Sequence, residues 1–143
     1  MQTFTAPDYL TLMYRSDLHF LVARWQRPVT GAETQEGYRL ILSAAQACKC
    51  PYWLLDGRRR LPADPETTAW GLHEFFPTLS QHLGSKVYMS QLLSPLYQQL
   101  TSASQEFQQA EGFPHQTYKM RRFNDETHAV EWLQQAQREA SQA

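Results

Sequence analysis

The sequence predicts a single α/β domain with a mixed sheet, in the order β-β-α-β-α-β-α-β-α. Short runs of apolar and β-branched residues alternate with longer segments whose apolar residues recur every three or four positions, as strands and helices do. The first two strand-like runs are joined by only a few polar residues, which predicts an antiparallel hairpin. The later strands alternate with helices and are therefore expected to pair in parallel. The sheet should have five strands and the domain four helices.

The first third of the chain predicts the hairpin and one helix. Residues 9–14 and 18–25 are rich in apolar, aromatic and β-branched types, and a proline ends the second strand because it cannot donate to a ladder. The helix begins at a threonine cap, Thr30 or Thr34, and is predicted to run to Cys50, just before another proline. Its buried stripe would consist of Tyr38, Ile41, Leu42, Ala45 and Cys48.

The middle of the chain predicts two strands on either side of an interrupted helix. Residues 52–56 form a short continuous apolar run, which suits a central strand covered on both faces. Asp64, followed by a proline and a glutamate, is a strong helix start, and Pro77 inside the helix predicts a kink or a break. Residues 86–91 form the fourth strand. The buried stripe of this helix would consist of Ala69, Leu72, Phe76, Leu79 and Leu83.

The last third predicts a helix, the fifth strand and a final helix. The third helix opens at Ser94 and is broken at Gly112, because glycine followed closely by proline cannot continue it. Residues 118–122 form the strand, and Asn124 is expected to cap the last helix. The buried face of the third helix would consist of Leu96, Leu100, Ala103, Phe107 and Ala110, and that of the last helix of Ala129, Leu133 and Ala136.

Composition excludes several classes of partner. The 143 residues suit one domain, with a core at about 8–135 and a tail that frays after Gln137. The formal net charge of -1 gives no field that would attract nucleic acid or an anionic membrane surface. No apolar run approaches the length of a membrane-spanning helix, and the first residues do not resemble a signal peptide. We therefore expect a cytoplasmic protein with no membrane insertion and no bound nucleic acid.

One candidate binding surface follows the central strand. Asp56, Arg58, Arg59 and Arg60 lie just past its predicted carboxyl end, where ligands of open α/β sheets tend to bind. Three arginines close to a helix start would suit an anion. The alternative is a solvated loop in which Asp56 caps backbone amides or pairs with an arginine.

A second candidate surface lies on the interrupted helix. Trp70, His73 and Pro77 share a face beside the apolar stripe, which is typical of a contact surface or a pocket wall. The alternative is a helix that is buried over a wide arc. Four further side chains fall on predicted strands and would either line an open sheet face or lie under helices: His19, Tyr52, Tyr88 and Lys119.

Catalytic, metal and cofactor sites are not predicted. Cys48 and Cys50 are expected to be one core thiol and one thiol at a helix end, where the negative end of the dipole opposes a thiolate. No nucleophile elbow and no helix-borne pair of metal-binding histidines occurs. Asp125 and Glu126 suit the first turn of the last helix, where acids are favourable.

Three stretches of the sequence carry a family resemblance. They are residues 53–58, a strand ending in an aspartate with arginine after it; residues 65–77, with Trp70 and a Glu-Phe-Phe-Pro run; and residues 123–133, at the last strand–helix corner. Together, in this order of elements, the chain resembles the SpoIIAA-like domains of anti-sigma-factor antagonists (STAS domains) and, most closely, uncharacterised bacterial STAS/SEC14-type proteins. The serine motif that is phosphorylated in STAS antagonists is absent, and nothing singles out Thr67 or Thr68 as a substitute.

The resemblance and the missing catalytic residues together predict a non-enzymatic binding or regulatory module. It would act through contacts with a protein partner of unknown identity, with a homodimer as one form. The alternative is a carrier of a small apolar molecule or lipid, with a pocket between the sheet and the helices.

Overall fold

The computed structural model describes residues 2–101 and 117–142 and confirms the α/β class. Those residues contain a mixed sheet of six strands in sequential order along the sheet. The strands are β1 (Gln2–Phe4), β2 (Leu10–Arg15), β3 (Phe20–Trp25), β4 (Tyr52–Asp56), β5 (Val87–Leu92) and β6 (Tyr118–Phe123).

The predicted hairpin is confirmed, but the predicted count of five strands is wrong. β2 and β3 pair antiparallel, and β3, β4, β5 and β6 are all parallel to their neighbours. The additional strand, β1, pairs antiparallel with β2 at the edge of the sheet. It has only three residues and no buried side chain, so it lacks the apolar alternation by which strands are found in a sequence. Its hydrogen bonds to β2 define it instead.

Helix α1 (Gly31–Cys48) begins and ends on local signals. Thr30 and Glu33 form a capping box, in which each side chain accepts a hydrogen bond from the backbone amide of the other. The helix was predicted to reach Cys50, but it ends at Cys48 because Lys49 adopts the left-handed conformation (φ 53°). One thiol in the core and one at the helix end are present as expected, but it is Cys50 that is buried, whereas Cys48, which was predicted in the buried stripe, is only half-buried.

The second helical region changes its winding along its length. Helix α2 (Pro65–Ala69) is capped by Asp64, which accepts a hydrogen bond from the amide of Thr67 at 2.8 Å. A π-helical segment (Trp70–Phe75) and a 3-10 turn (Phe76–Thr78) follow. The break expected at Pro77 is therefore present as the 3-10 turn, and helix α3 (Leu79–Leu83) ends at Gly84 in the left-handed conformation.

The last two described helices are α4 (Pro95–Thr101) and α5 (Glu126–Gln142). The prediction that Leu96 and Leu100 are buried is wrong, since these side chains are 57% and 61% exposed. Tyr97 and Thr101 are buried instead, and the hydroxyl of Thr101 accepts a hydrogen bond from Arg122 of β6. The rest of this predicted helix and its break at Gly112 lie outside the described residues.

The cap of α5 also differs from the prediction. The side chain of Asp125 accepts a hydrogen bond from the backbone amide of His128 at 3.0 Å. The side-chain amide of Asn124 instead donates to the carbonyl of Leu93, the residue after β5. The helix runs through Gln142, past the residue where fraying was expected. Of the helices in the described residues, none combines the length and the apolar character needed to cross a membrane.

The helices cover both faces of the sheet. Neighbouring residues of β5 show this, because side chains alternate between faces along a strand. Ser90 donates a hydrogen bond to the carbonyl of Ala129 on α5, whereas Gln91 lies beside Tyr38 of α1. α1 and the interrupted helix thus pack on one face and α5 on the other. The core on the α1 face is aromatic, with Tyr38 in contact with the rings of Phe75 and Phe76.

Candidate functional site

The loop after β4 sends its arginines in different directions. Asp56 is the last residue of β4, and a turn closed by the amide of Arg60 and the carbonyl of Gly57 (3.2 Å) follows it. Arg58 and Arg59 are exposed, whereas Arg60 is only 7% exposed. The predicted surface at this edge is therefore two separate environments.

Arg60 is a buried cation without an acidic partner among the described residues. The centre of its guanidinium lies 4.5 Å from the ring centroid of Trp25, and its Nη2 donates to the hydroxyl of Thr34 at 2.9 Å. Its Nε is buried and has no hydrogen-bond partner in the described part of the chain. No described carboxylate lies within ion-pair distance of it. Such a group is rare, because burying a charge is costly unless the charge is paired.

The walls around Arg60 enclose two adjoining cavities of about 40 and 20 Å³. Both are lined by Tyr38 of α1, Gln91 of β5, Tyr97 of α4 and Arg60 itself, and we call the two together the Arg60 pocket. It lies between the sheet and the helices of the α1 face, near the carboxyl ends of the parallel strands.

The tyrosines of the Arg60 pocket are hydrogen-bond donors at neutral pH. Burial raises the pKa of Tyr38 to about 12, although the positive charge of Arg60 opposes the shift. Burial also raises the pKa of Tyr97, against the charges of Arg60 and Arg122. Both hydroxyls therefore keep their protons, which leaves them able to donate to a negatively charged oxygen.

The π-helical segment forms the outer wall of the Arg60 pocket. Trp70, Gly71 and Leu72 line its larger cavity. The ring of Trp70 is half-buried and stacks on that of Phe75 at a centroid distance of 4.9 Å, and the guanidinium of Arg39 covers it. π-helical turns are rare and occur frequently at functional sites, because they realign side chains without ending the helix.

The second predicted surface contributes only Trp70 to this pocket. His73 is exposed and lies outside the lining. Pro77 is half-buried within the 3-10 turn and also does not line it. The reason is the winding of the segment, since a π-helix turns less per residue than an α-helix and removes the face that α-helical spacing predicts.

On the opposite side of the loop, Asp56 is the centre of an ion-pair cluster. It accepts hydrogen bonds from the amide and side chain of Arg58 and from Arg24, and Arg24 also pairs with Glu126 of α5 at 2.8 Å. Burial alone would raise the pKa of Asp56, but these hydrogen bonds outweigh it and lower the pKa below its ordinary value. Asp56 thus both caps an amide and pairs with arginine, which was the alternative expectation for this loop.

This Asp56 cluster borders an open cleft of about 540 Å³. Arg59 reaches its rim and donates to the side chain of Gln26 at 2.8 Å. Arg24 and Arg58 match the two carboxylates of the cluster, and Arg59 at the rim leaves the cleft one excess positive charge among its described lining residues. The cluster joins β3, β4 and α5 and is a structural connection.

The polar residues predicted on the strands lie mainly on the face covered by α5. Tyr52 and Tyr88 stack at 5.5 Å, and Trp132 of α5 contacts Tyr88. His19 lies in the turn before β3, next to Tyr52, and Lys119 is exposed. The interpretation that places these side chains under a helix therefore holds for the tyrosines.

The two thiols and the described acids do not form a metal site. Burial raises the pKa of Cys50 to about 12, so its thiol is inert at neutral pH. Within residues 2–101 and 117–142, no three His, Cys, Asp or Glu side chains converge on a point that could hold a metal ion.

Comparisons of the chain with protein-family models, with curated proteins and with solved structures found no match. The geometry of the Arg60 pocket is therefore the basis for assigning a function.

Proposed function

We propose that this chain is a non-catalytic binding module that holds the anionic group of a small molecule in the Arg60 pocket. The observation that carries the proposal is the buried guanidinium with an unpaired Nε and no acidic partner among the described residues. It develops the carrier alternative from the sequence, in which a ligand lies between the sheet and the helices.

The physical reason is the behaviour of a buried arginine. Its pKa is so high that it cannot become neutral on burial, as a lysine or histidine can. No described carboxylate compensates the charge of Arg60; a bound anion would do so, and a guanidinium offers directional N–H donors that match carboxylate and phosphate oxygens. The hydroxyls of Tyr38 and Tyr97, which are protonated at neutral pH, add donors beside it.

The position of the pocket supports a ligand site. It lies near the carboxyl edge of the parallel strands, where open α/β sheets bind their ligands. The side chains that line it are a cation, two tyrosines, a glutamine and threonines, together with apolar groups. General acid–base catalysis needs groups with a pKa near neutrality, whereas the tyrosines here are shifted away from it. Binding therefore fits these residues better than a reaction.

The other expectations from the sequence remain predictions. They are the SpoIIAA-like (STAS/SEC14-type) relationship, action through a protein partner, a homodimer and a cytoplasmic setting. A protein partner would find exposed apolar side chains on the molecule, namely Leu61, Leu96 and Leu100.

The proposal is tested by titrating acetate, benzoate and inorganic phosphate, at fixed ionic strength, into the wild-type protein and two variants, with calorimetry and thermal unfolding as readouts. Arg60→Met removes the buried guanidinium, and Arg59→Met removes an exposed one from the adjacent position. We expect an anion to bind the wild type and Arg59→Met alike, and Arg60→Met at least tenfold more weakly. Equal binding by all three proteins, or no binding by the wild type, would contradict the proposal.

A further inference from the structure

We infer that the ligand of the Arg60 pocket is a small organic monocarboxylate with a flat apolar body, whose carboxylate pairs with Arg60 and whose body lies against the π-helical wall. The inference rests on the proposed function and names the ligand class. The charge of the pocket, its hydrogen-bond donors and the residues of its wall each support this ligand class.

The charge of the pocket suits a single negative charge. Arg60 is the one cationic side chain that lines the larger cavity among the described residues. Arg122, also near Tyr97, is directed to the hydroxyl of Thr101 at 2.7 Å. On the other side, the carboxylate of Asp64 is bound to the hydroxyl of Thr67, a lining residue. A dianionic phosphate would have one uncompensated charge close to this carboxylate, whereas a monocarboxylate would be neutralised by Arg60.

The donors also favour a carboxylate over a phosphate. Proteins commonly bind phosphate through free backbone amides at a helix start or in a glycine-rich loop. At the start of α2, Pro65 has no N–H, and the amides of Thr67 and Thr68 already donate to Asp64. The donors that remain are side chains: the Nε of Arg60, the hydroxyls of the two tyrosines, and the amide of Gln91, which is hydrogen-bonded with Tyr38. A few donors of this kind match the two oxygens of a carboxylate.

The size of the pocket supports this choice. A cavity of about 40 Å³ offers room for roughly three water-sized positions, since one such position needs ~10–15 Å³. That space accommodates a carboxylate group but not a complete larger ligand. The rest of the molecule must therefore extend out of the cavity, which is half open, along its outer wall.

That outer wall is apolar and partly aromatic. Trp70, Leu72 and Phe76 contribute to it, and Gly71 lies among them without a side chain. A methyl group at Gly71 would meet only the ring of Phe76, at 3.8 Å, which is ordinary contact. The missing side chain thus leaves a gap beside an aromatic ring that a planar apolar group can fill.

Four probes test the inference: benzoate, acetate, inorganic phosphate and benzyl alcohol, each titrated by calorimetry into the wild type, Arg60→Met and Gly71→Ala. We expect benzoate to bind the wild type at least tenfold more tightly than acetate or phosphate. Benzyl alcohol has the ring without the charge and should bind at least tenfold more weakly than benzoate. Arg60→Met should lose benzoate binding, and Gly71→Ala should weaken benzoate several-fold while leaving acetate unchanged.

The outcomes separate the inference from the proposed function. If phosphate or acetate binds as tightly as benzoate through Arg60, the carboxylate class with an apolar body is wrong, but anion binding stands. If none of the anions binds, both fail. Because Gly71→Ala introduces no close contact, its circular dichroism spectrum and unfolding midpoint should match those of the wild type, and a large loss of structure would contradict the assigned wall geometry.

Discussion

Replacing Arg60 by methionine should leave the fold as stable as before, or make it more stable. Methionine is unbranched and matches the arginine side chain as far as Nε, so it keeps the packing of the arginine stem while it removes the charge. The stem region is well enclosed, since the residue as a whole is only 7% exposed. The substitution therefore isolates the cost of burying the guanidinium.

The expected magnitude follows from the contacts of Arg60. Moving a charged group from water into a protein interior costs several kcal/mol. The hydrogen bond to Thr34 and the stacking on Trp25 return about 2 kcal/mol each. Because the Nε lacks a partner and no carboxylate among the described residues offsets the charge, these contacts at most balance the cost. We expect the free energy of unfolding to be unchanged or to rise by up to ~2 kcal/mol, which lies within the range seen when buried ionic groups are replaced by apolar ones.

The measurement is urea unfolding of the wild type, Arg60→Met and Arg59→Met, without added anions. Arg59 is exposed, so its substitution should change the free energy of unfolding by less than about 0.5 kcal/mol. A loss of more than about 2 kcal/mol in Arg60→Met, with an unchanged denaturant slope, would show that Arg60 is a structural residue with a partner of its own. That result would remove the basis of the proposed site.

Three further predictions concern the surrounding structure. Gly37→Ala should lower the free energy of unfolding by about 1–3 kcal/mol in urea, because a Cβ there would lie 2.4 Å from the ring of Trp25, whereas Gly71→Ala should not. Glu33→Gln should make the free energy of unfolding depend less on pH in the acid range. A hydrogen bond from a neighbouring arginine lowers the pKa of Glu33 from 4.5 to about 2. The contribution of Glu33 to stability is therefore present above pH 4.5 and is lost as the pH falls towards 2. Urea midpoints measured across this range check it, and equal slopes in both proteins would refute it. Ser90→Ala should cost about 1 kcal/mol in the same assay, since it removes a buried 2.8 Å hydrogen bond to α5, and an unchanged midpoint would contradict this.

The parts of the fold that could be predicted are those with strong local signals. The hairpin, the buried strand β4 and the cap at Asp64 each follow from a few adjacent residues, and the structure has all three. β1 was missed because a three-residue edge strand depends on its partner β2 rather than on its own sequence. The predicted orientation of α4 was wrong for a related reason. The buried residues Tyr97 and Thr101 contact groups that are distant in the sequence, such as Arg122.

The candidate site was predicted in fragments. The sequence placed Arg60 on one surface and Trp70 on another, and the fold brings both to the same pocket. Tyr38 was predicted only as part of the buried stripe of α1, and Tyr97 lay outside the face of the third helix that was predicted to be buried. Gln91 carried a usable signal, because a glutamine at the end of an otherwise largely apolar central strand is expected to face a polar partner or a ligand. No sequence pattern could predict that Arg60 lacks an acidic partner among the described residues.

The loop after β4 shows why three similar residues have different roles. The turn that begins at Gly57 directs the side chain of Arg58 to Asp56 on the α5 side and that of Arg60 beneath α1. Arg58 is compensated within the protein, whereas Arg60 is not compensated by any described residue. A structural arginine and a ligand-binding arginine therefore differ in the sign of their contribution to stability. If Arg60 has a binding role, Arg60→Met should lose anion binding while the stability of the protein stays the same or rises. Substituting a structural arginine would instead destabilise the protein, whether or not an anion is present.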